Sequence, residues 1–266
     1  MSHLFKKSYR PLSLSLPLSL SLSLGLMVFT SSALAKEWPA PIKALEAKGL
    51  EIVGTFDAPG GLTGYAGILQ QQPLAVYVTS DGKQAIIGSM VDAKGTDLTR
   101  DPVTRLVSKP MTEKTLKLLE QSAWIGAGAK TAPRVVYAFT DPNCPFCNKF
   151  WNDAQPWIKA GKVQVRHVIV GILGPTSPGK AAALLSAPDP QAALALHEEQ
   201  HRSGGIKPLA QIPANVRSQL EANQDLMQQL GFSATPATLY KDADGNLQSV
   251  MGAPTGDKLK QVLGPL

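Results

Sequence analysis

The chain has two cysteines, set three apart in Asp141-Pro142-Asn143-Cys144-Pro145-Phe146-Cys147. A bond between them would close a loop of about four residues, too short to stabilise a fold much through chain entropy. Chemistry accounts for such a pair better than architecture does. A strand-like run, 134–140, leads straight into the pair, and the pattern predicts a helix from Pro145 to about Lys159, kinked at Pro156. Cys144 then falls at a helix N-terminus, where unpaired N–H groups and the helix dipole favour an anion. Pro145 suits the first helical position, because its missing N–H would have had no helical partner. Both effects favour the thiolate, the form that attacks sulfur. The reading that follows is thiol–disulfide exchange without a cofactor. Cys144 is the nucleophile, and Cys147, one turn further in and more buried, is the resolving thiol. It requires Cys144 to be both more acidic than a free thiol and reachable.

Two metal readings compete. A zinc half-site would need two further ligands at short spacing; there is no third cysteine, and His167 sits mid-strand. The sharper rival is His197-Glu198-Glu199-Gln200-His201, which matches H-E-x-x-H and could serve a zinc hydrolase, with Glu198 as base and Glu221 at third-ligand distance. Glu199 and Gln200 are polar and the helix stops at Gly204-Gly205, so the segment reads as a solvated helix tip. His167, alternating with Val165 and Ile169, reads as a core position, as do Phe146, Phe150, Trp151 and Trp157. Gly60-Gly61-Leu62-Thr63-Gly64 precedes a strand, not a helix, and is no phosphate loop.

The elements that must position the cysteines follow from periodicity and breakers. Residues 1–35 read as a signal peptide: Lys6, Lys7 and Arg10, a Leu-rich stretch to Phe29, and the small-x-small Ala33-Leu34-Ala35. Pro11, Pro17 and interspersed serines argue against a membrane span. The mature chain would start at Lys36, outside the cytosol. Three of the six net positive charges lie in that leader. The remainder is weakly basic with no Lys/Arg block, which excludes a nucleic-acid-binding surface. Residues 36–97 predict a helix over 41–48 and strands over 50–56, 63–69, 74–79 and 84–91, with Asp81-Gly82 as a tight turn. A linker with a helix over 111–125 occupies 98–130. From 131 onward the order is strand, Cys-x-x-Cys helix, strand 162–170 and a helical, Ala-rich block of about 177–230. Strands 237–240 and 248–251 and a helix over 257–263 complete it.

That order, with Thr235-Pro236 opening a late strand, resembles the thioredoxin fold carrying a helical insertion. More narrowly, residues 37–266 resemble the bacterial periplasmic disulfide isomerases of the DsbC/DsbG group. The stretches that carry the likeness are Pro39-Ala40-Pro41, Thr55-Phe56-Asp57-Ala58-Pro59-Gly60-Gly61, Tyr137 through Cys147, Pro213-Ala214-Asn215-Val216 and Thr235-Pro236-Ala237. A count of two cysteines fits the DsbG branch. The resemblance implies a two-domain α+β protein: a cystatin-like N-terminal dimerisation domain, a linker helix, and a thioredoxin-like catalytic domain over 131–266. It implies a periplasmic homodimer kept reduced by a membrane thiol reductant of the DsbD kind. The substrates would be disulfides or cysteine sulfenic acids of exported proteins. It also makes Thr235 and a cis Pro236 the contact to the substrate backbone. Asn143 and Phe146 depart from the pattern, which has an apolar residue and a tyrosine there. A net oxidase of the DsbA kind and a binding module or chaperone with incidental cysteines are the other readings.

Overall fold

The computed structural model describes residues 37–266; the leader expected over 1–35 lies outside them. Helix α1 (Ala40–Glu46) begins with Pro41 in its first turn. The strands β1 (Glu51–Asp57), β2 (Thr63–Leu69), β3 (Gln72–Val78) and β4 (Ala85–Ile87) form one antiparallel meander in sequence order. Leu69 pairs with Gln72 across a two-residue loop whose residues Gln70 and Gln71 both have positive φ, 48° and 64°. That is the backbone hand a twisted hairpin requires, here built without the Asn or Gly that would have announced it. The strand expected over 84–91 shrinks to the three residues of β4, with Ile86 and Ile87 exposed on the sheet edge.

Helix α2 (Arg100–Gln121) differs most from the sequence expectation. It starts eleven residues before Met111 and runs through Pro110. Asp97 explains the start: its Oδ1 accepts from the N–H groups of Thr99 (2.8 Å) and Arg100 (3.1 Å), satisfying donors at the helix entrance. Burial explains the persistence past the proline. Val103 and Val107 pack with Ala66, Ile68, Ala75 and Tyr77 on one face of the meander, while α1 covers the other face through Ile42. Such packing outweighs the roughly 3 kcal/mol that an interior proline costs a helix. The last turn of α2 leaves the meander and places Leu119 in a second core. Residues expected to end the helix form instead strand β5 (Trp124–Ala127).

The second sheet has the order β5-β7-β6-β8-β9, from β6 (Arg134–Thr140), β7 (Val163–Ile169), β8 (Ala237–Lys241) and β9 (Leu247–Met251). Only β6 and β7 are parallel, joined by helix α3 (Pro145–Lys159). On one face Phe150, Ala154 and Trp157 of α3 pack with Val136, Ala138, Val163 and Val165, and with Val262 and Leu263 of α7 (Gly256–Leu263). On the other face Tyr137, Phe139, Val168 and Leu239 meet Leu119 and helix α6 (Ala214–Gln229). Between β7 and β8 the chain forms α4 (Ser177–Leu185), α5 (Pro190–Glu199), a 3-10 turn His201–Ser203 and α6. This helical block has its own apolar centre in Ala181, Ala182, Leu184, Leu194, Val216 and Leu220, against Ile125 and Ile169. The consequence for the site is that β6 aims its C-terminal end at the start of α3, and the inserted helices close over that junction.

Candidate active site

Cys144 is the N-cap of α3, with extended backbone (φ −82°, ψ 113°), and Pro145 follows as the first helical residue. Its Sγ accepts from the Cys147 N–H at 3.3 Å and lies 3.3 Å from the Thr235 carbonyl, to which the thiol donates. The two thiols are free. The thiol of Cys147 is the largest influence on Cys144: by hydrogen bonding to the thiolate it helps bring the Cys144 pKa down to about 6. Burial works the other way, and the backbone N–H groups of Cys147 and Phe146 add to the lowering. Burial pushes Cys147 well above the ordinary thiol value, and the neighbouring Cys144 pushes it further. One sulfur is therefore ionised near neutral pH while its partner keeps its proton.

Reach is the half of the expectation that the structure modifies. Cys144 is 2% exposed, covered by the Thr235–Pro236 segment, whose peptide bond is cis. Pro145 and Phe146, next in the chain, are exposed, Phe146 at 62%. Phe146 is thus not the core residue that helical spacing suggested. It projects from the rim of the site, while Phe150, Trp151 and Trp157 turn inward.

The junction between β6 and α3 is held by polar contacts to the inserted helices. Asp141 is buried and accepts four hydrogen bonds: Oδ1 from the Asn143 N–H and the Ser177 hydroxyl, both 2.8 Å, and Oδ2 from the N–H groups of Ile172 (2.6 Å) and Leu173 (2.9 Å). A carboxylate so saturated with donors ties its own turn to the segment 172–177. Asn143 donates to Thr176 and Ser177 at 2.9 Å and accepts from Lys180 Nζ at 2.8 Å. An apolar residue at 143 could make none of these bonds, so this departure from the family pattern belongs to the insertion's docking. Below it, Thr140 and His167 Nδ1 are 2.9 Å apart, and burial holds His167 neutral with its pKa down to about 4.

The H-E-x-x-H segment is only in part the solvated tip expected: Glu199 and Gln200 are exposed, but its first two residues are not. His197 is 1% and Glu198 3% exposed. His197 Nδ1 accepts the Ile206 N–H at 3.0 Å, so Nε2 carries the proton and donates to the Pro142 carbonyl at 2.8 Å. With both ring nitrogens engaged, His197 has no lone pair to offer a metal, and among the described residues no cluster of three or more His, Cys, Asp or Glu has ligand geometry. The zinc-hydrolase reading is corrected on that ground. Gly205 makes the fit possible: at φ 61°, any Cβ there would strike the His197 ring. Glu198 receives both a backbone and a side-chain bond from Asn148 Nδ2, 2.7 Å to its carbonyl and 2.8 Å to Oε2. Burial, and secondarily the charge of Cys144, raise its pKa to about 7. Sequence reasoning missed Asp141, Asn148, Lys180 and the true role of His197. Only Asp141, in an Asp-Pro-Asn turn before the cysteines, carried a local signal.

Comparison with known proteins agrees with the fold. The family description "Thioredoxin-like domain" matches residues 121–265, and "Disulfide bond isomerase protein N-terminal domain" matches residues 32–100. The chain is 51% identical over 231 residues to the thiol:disulfide interchange protein DsbG of Pseudomonas aeruginosa, covering 87% of this chain and 90% of that protein. It is 40% identical over 243 residues to the Escherichia coli K12 protein of the same name, covering 90% and 96%. Among solved structures, a linker-deletion variant of Proteus mirabilis ScsC aligns with a TM-score of 0.50 at 26% identity, over 61% of this chain and 83% of that one.

Proposed function

The chain belongs to the DsbG family of thiol:disulfide interchange proteins, and from that premise we propose that Cys144 is its nucleophile and Cys147 its resolving thiol. The chain is a thiol–disulfide oxidoreductase acting on protein thiols. The observation that carries the residue assignment is the asymmetry of the pair. Cys144 caps α3 with its sulfur facing the Cys147 thiol and N–H, which leaves Cys144 acidic and Cys147 protonated. In the isomerase direction the Cys144 thiolate attacks one sulfur of a substrate disulfide, and the other substrate sulfur leaves as a thiolate. Another substrate thiolate then displaces Cys144, or Cys147 loses its proton, attacks the Cys144 sulfur and releases the substrate reduced. With a sulfenic acid, the Cys144 thiolate attacks the oxidised sulfur and the hydroxide that leaves takes a proton from solvent to become water; Cys147 then loses its proton, attacks the Cys144 sulfur and releases the substrate as a thiolate.

Thr235 and Pro236 are the proposed contact to the substrate backbone, supported by the Thr235 carbonyl at 3.3 Å from Cys144 Sγ. Since that segment also covers the sulfur, substrate engagement displaces it. Residues 1–35 serve as a signal peptide in this proposal, and the protein works in the periplasm on exported proteins with cysteines. A membrane reductant of the DsbD kind returns it to the dithiol form. Residues 36–97 act as the dimerisation domain, 98–130 as the connection and 131–266 as the catalytic domain. Exposed Ile86 and Ile87 on the edge strand β4 support pairing of two copies. No cofactor enters this scheme.

A Cys147→Ala variant expressed in the periplasm is expected to accumulate disulfide-linked adducts through Cys144, which vanish in Cys144→Ser/Cys147→Ala. Absence of adducts in the first, or their persistence in the second, overturns the assignment. The redox state of the pair in cells separates isomerase from net oxidase: predominantly reduced supports the former.

A further inference from the structure

Among the described residues Glu198 has no counter-ion, in a place where one is needed. It is 3% exposed, and its one side-chain hydrogen bond comes from the neutral amide of Asn148. The groups around it are few and otherwise engaged. On α3, Lys149 pairs with Asp153 at 2.6 Å. On its own helix, His197 has both ring nitrogens bonded, and Glu199 is a second acid. His201 and Arg202 of the 3-10 turn line the same cleft, beside Pro145 and Asn148, without pairing with Glu198. On α4, Lys180 spends its ammonium on Asn143 Oδ1 and the Gly204 carbonyl, each at 2.8 Å. Among the described residues none of these cations makes an ion pair with Glu198. The charge that does act on it is the Cys144 thiolate, of its own sign. Two like charges in a water-poor site disfavour each other's ionised forms. The thiolate is the better supported of the two, by the Cys147 thiol and N–H groups, so Glu198, disfavoured as a carboxylate first by its burial and then by that charge, is the one that keeps a proton.

Resting on the assignment of Cys144 as nucleophile, we propose that Glu198 is a redox-linked proton site of the thiol pair, protonated beside the Cys144 thiolate and released to ionise once that sulfur is neutral in a disulfide. The balance is explicit. Two electrons from a dithiol reductant break the Cys144–Cys147 bond. One proton goes to Cys147, a second to Glu198, and Cys144 is left as the thiolate. Oxidation returns both protons. Glu198 touches neither sulfur in this role; it is a positioning residue that sets how the redox equilibrium responds to pH. The rejected metal motif thereby acquires a use, with His197 fixing the loop before Cys144 and Glu198 holding the proton.

The test uses the full mature chain, wild type and Glu198→Gln, a variant that retains an oxygen to accept from Asn148 but cannot ionise. The equilibrium with glutathione is measured from pH 6 to 8, and the Glu198 carboxyl carbon is titrated by NMR in the reduced and oxidised wild type. The expected midpoint is about 7 in the reduced protein and lower in the oxidised one. The two proteins should share one equilibrium constant at the acid end. Toward pH 8 the variant should favour the reduced form, by about threefold for each half unit that the midpoint falls on oxidation. The same midpoint in both redox forms, or parallel equilibrium curves, overturns the proposal; the carboxyl titration decides even if the variant does not fold. Failure of this test with Cys144 adducts still forming leaves the nucleophile assignment standing. Failure of Cys144 to exchange with glutathione at all sinks both.

Discussion

Replacing Cys147 by alanine tests the origin of the acidity of Cys144 directly, because each single variant carries one thiol and its titration has one owner. The thiol of Cys147 is the largest influence lowering Cys144 to about 6. A hydrogen bond to a charged acceptor contributes about 1.5–3 kcal/mol, and 1.36 kcal/mol corresponds to one pKa unit. Removing the donor should therefore raise Cys144 by about one to two units. The backbone N–H of Cys147, 3.3 Å from the sulfur, and the helix terminus remain, so the thiol should stay below an unperturbed one. At pH 7 the thiolate fraction would drop from about nine-tenths to between a half and a tenth. Thiolate absorbance at 240 nm against pH gives the midpoint, and the iodoacetamide rate at pH 7 should fall about two- to tenfold in parallel. A Cys147→Ser variant keeps a hydroxyl donor and should titrate within about half a unit of wild type. If the alanine variant still titrates at about 6, the helix terminus alone sets the acidity and the account given for the pair is wrong.

Asp141→Ala leaves four donors without their acceptor: the hydroxyl of buried Ser177 and the part-buried N–H groups of Asn143, Ile172 and Leu173. The loss should reach at least about 3 kcal/mol in denaturant unfolding; a change below about 1 kcal/mol would mean that water replaces the carboxylate without cost. Gly205→Ala places a Cβ against the His197 ring at φ 61°. It should lower stability by more than about 1 kcal/mol and slow thiol exchange by shifting the loop at Pro142, as measured by thermal unfolding and alkylation rate. Glu198 also makes stability pH-dependent with a definite sign. Its folded pKa is raised from 4.5 to about 7, so the unfolded chain ionises first and stability falls as pH climbs from about 4.5 to 7. Glu198→Gln should remove that fall, gaining on the order of 3 kcal/mol over the wild type at pH 8 and little at pH 4. Equal pH profiles for the two proteins would show that the carboxylate is solvated.

The polar belt between the inserted helices and the Cys144 loop suggests why the insertion sits where it does. Asp141, Asn143, the Pro142 carbonyl and Asn148 are successive points on one short stretch, and each is bonded to α4, to α5 or to the chain ahead of α4. A loop anchored at so many points is held in one geometry, which the role proposed for Cys144 requires. The exposed Phe146 beside it offers an apolar rim that a substrate chain can cover.

What the sequence determined by itself was whatever depends on neighbours along the chain. Strand 134–140 and the helix from Pro145 to Lys159 were legible because alternation, proline placement and helix-start chemistry act within a few residues. The direction of the Cys144 shift was legible for the same reason, since its donors lie within three residues, but the sequence credited the helix-terminal N–H groups where the Cys147 thiol contributes most. Three things were decided only by the tertiary structure. Helix α2 runs back through Pro110 because a sheet lies beneath Val103 and Val107. Gln70-Gln71 turns tightly because two strands already fix its ends. The segment at 197–201, polar by composition, is half buried because it meets the loop at Pro142, 55 residues away in sequence. Burial and counter-ions are properties of what packs against a group. A carboxyl buried against Asn148 in the Cys144 helix, with no cation paired to it among the described residues, can only be seen once the chain has brought them together.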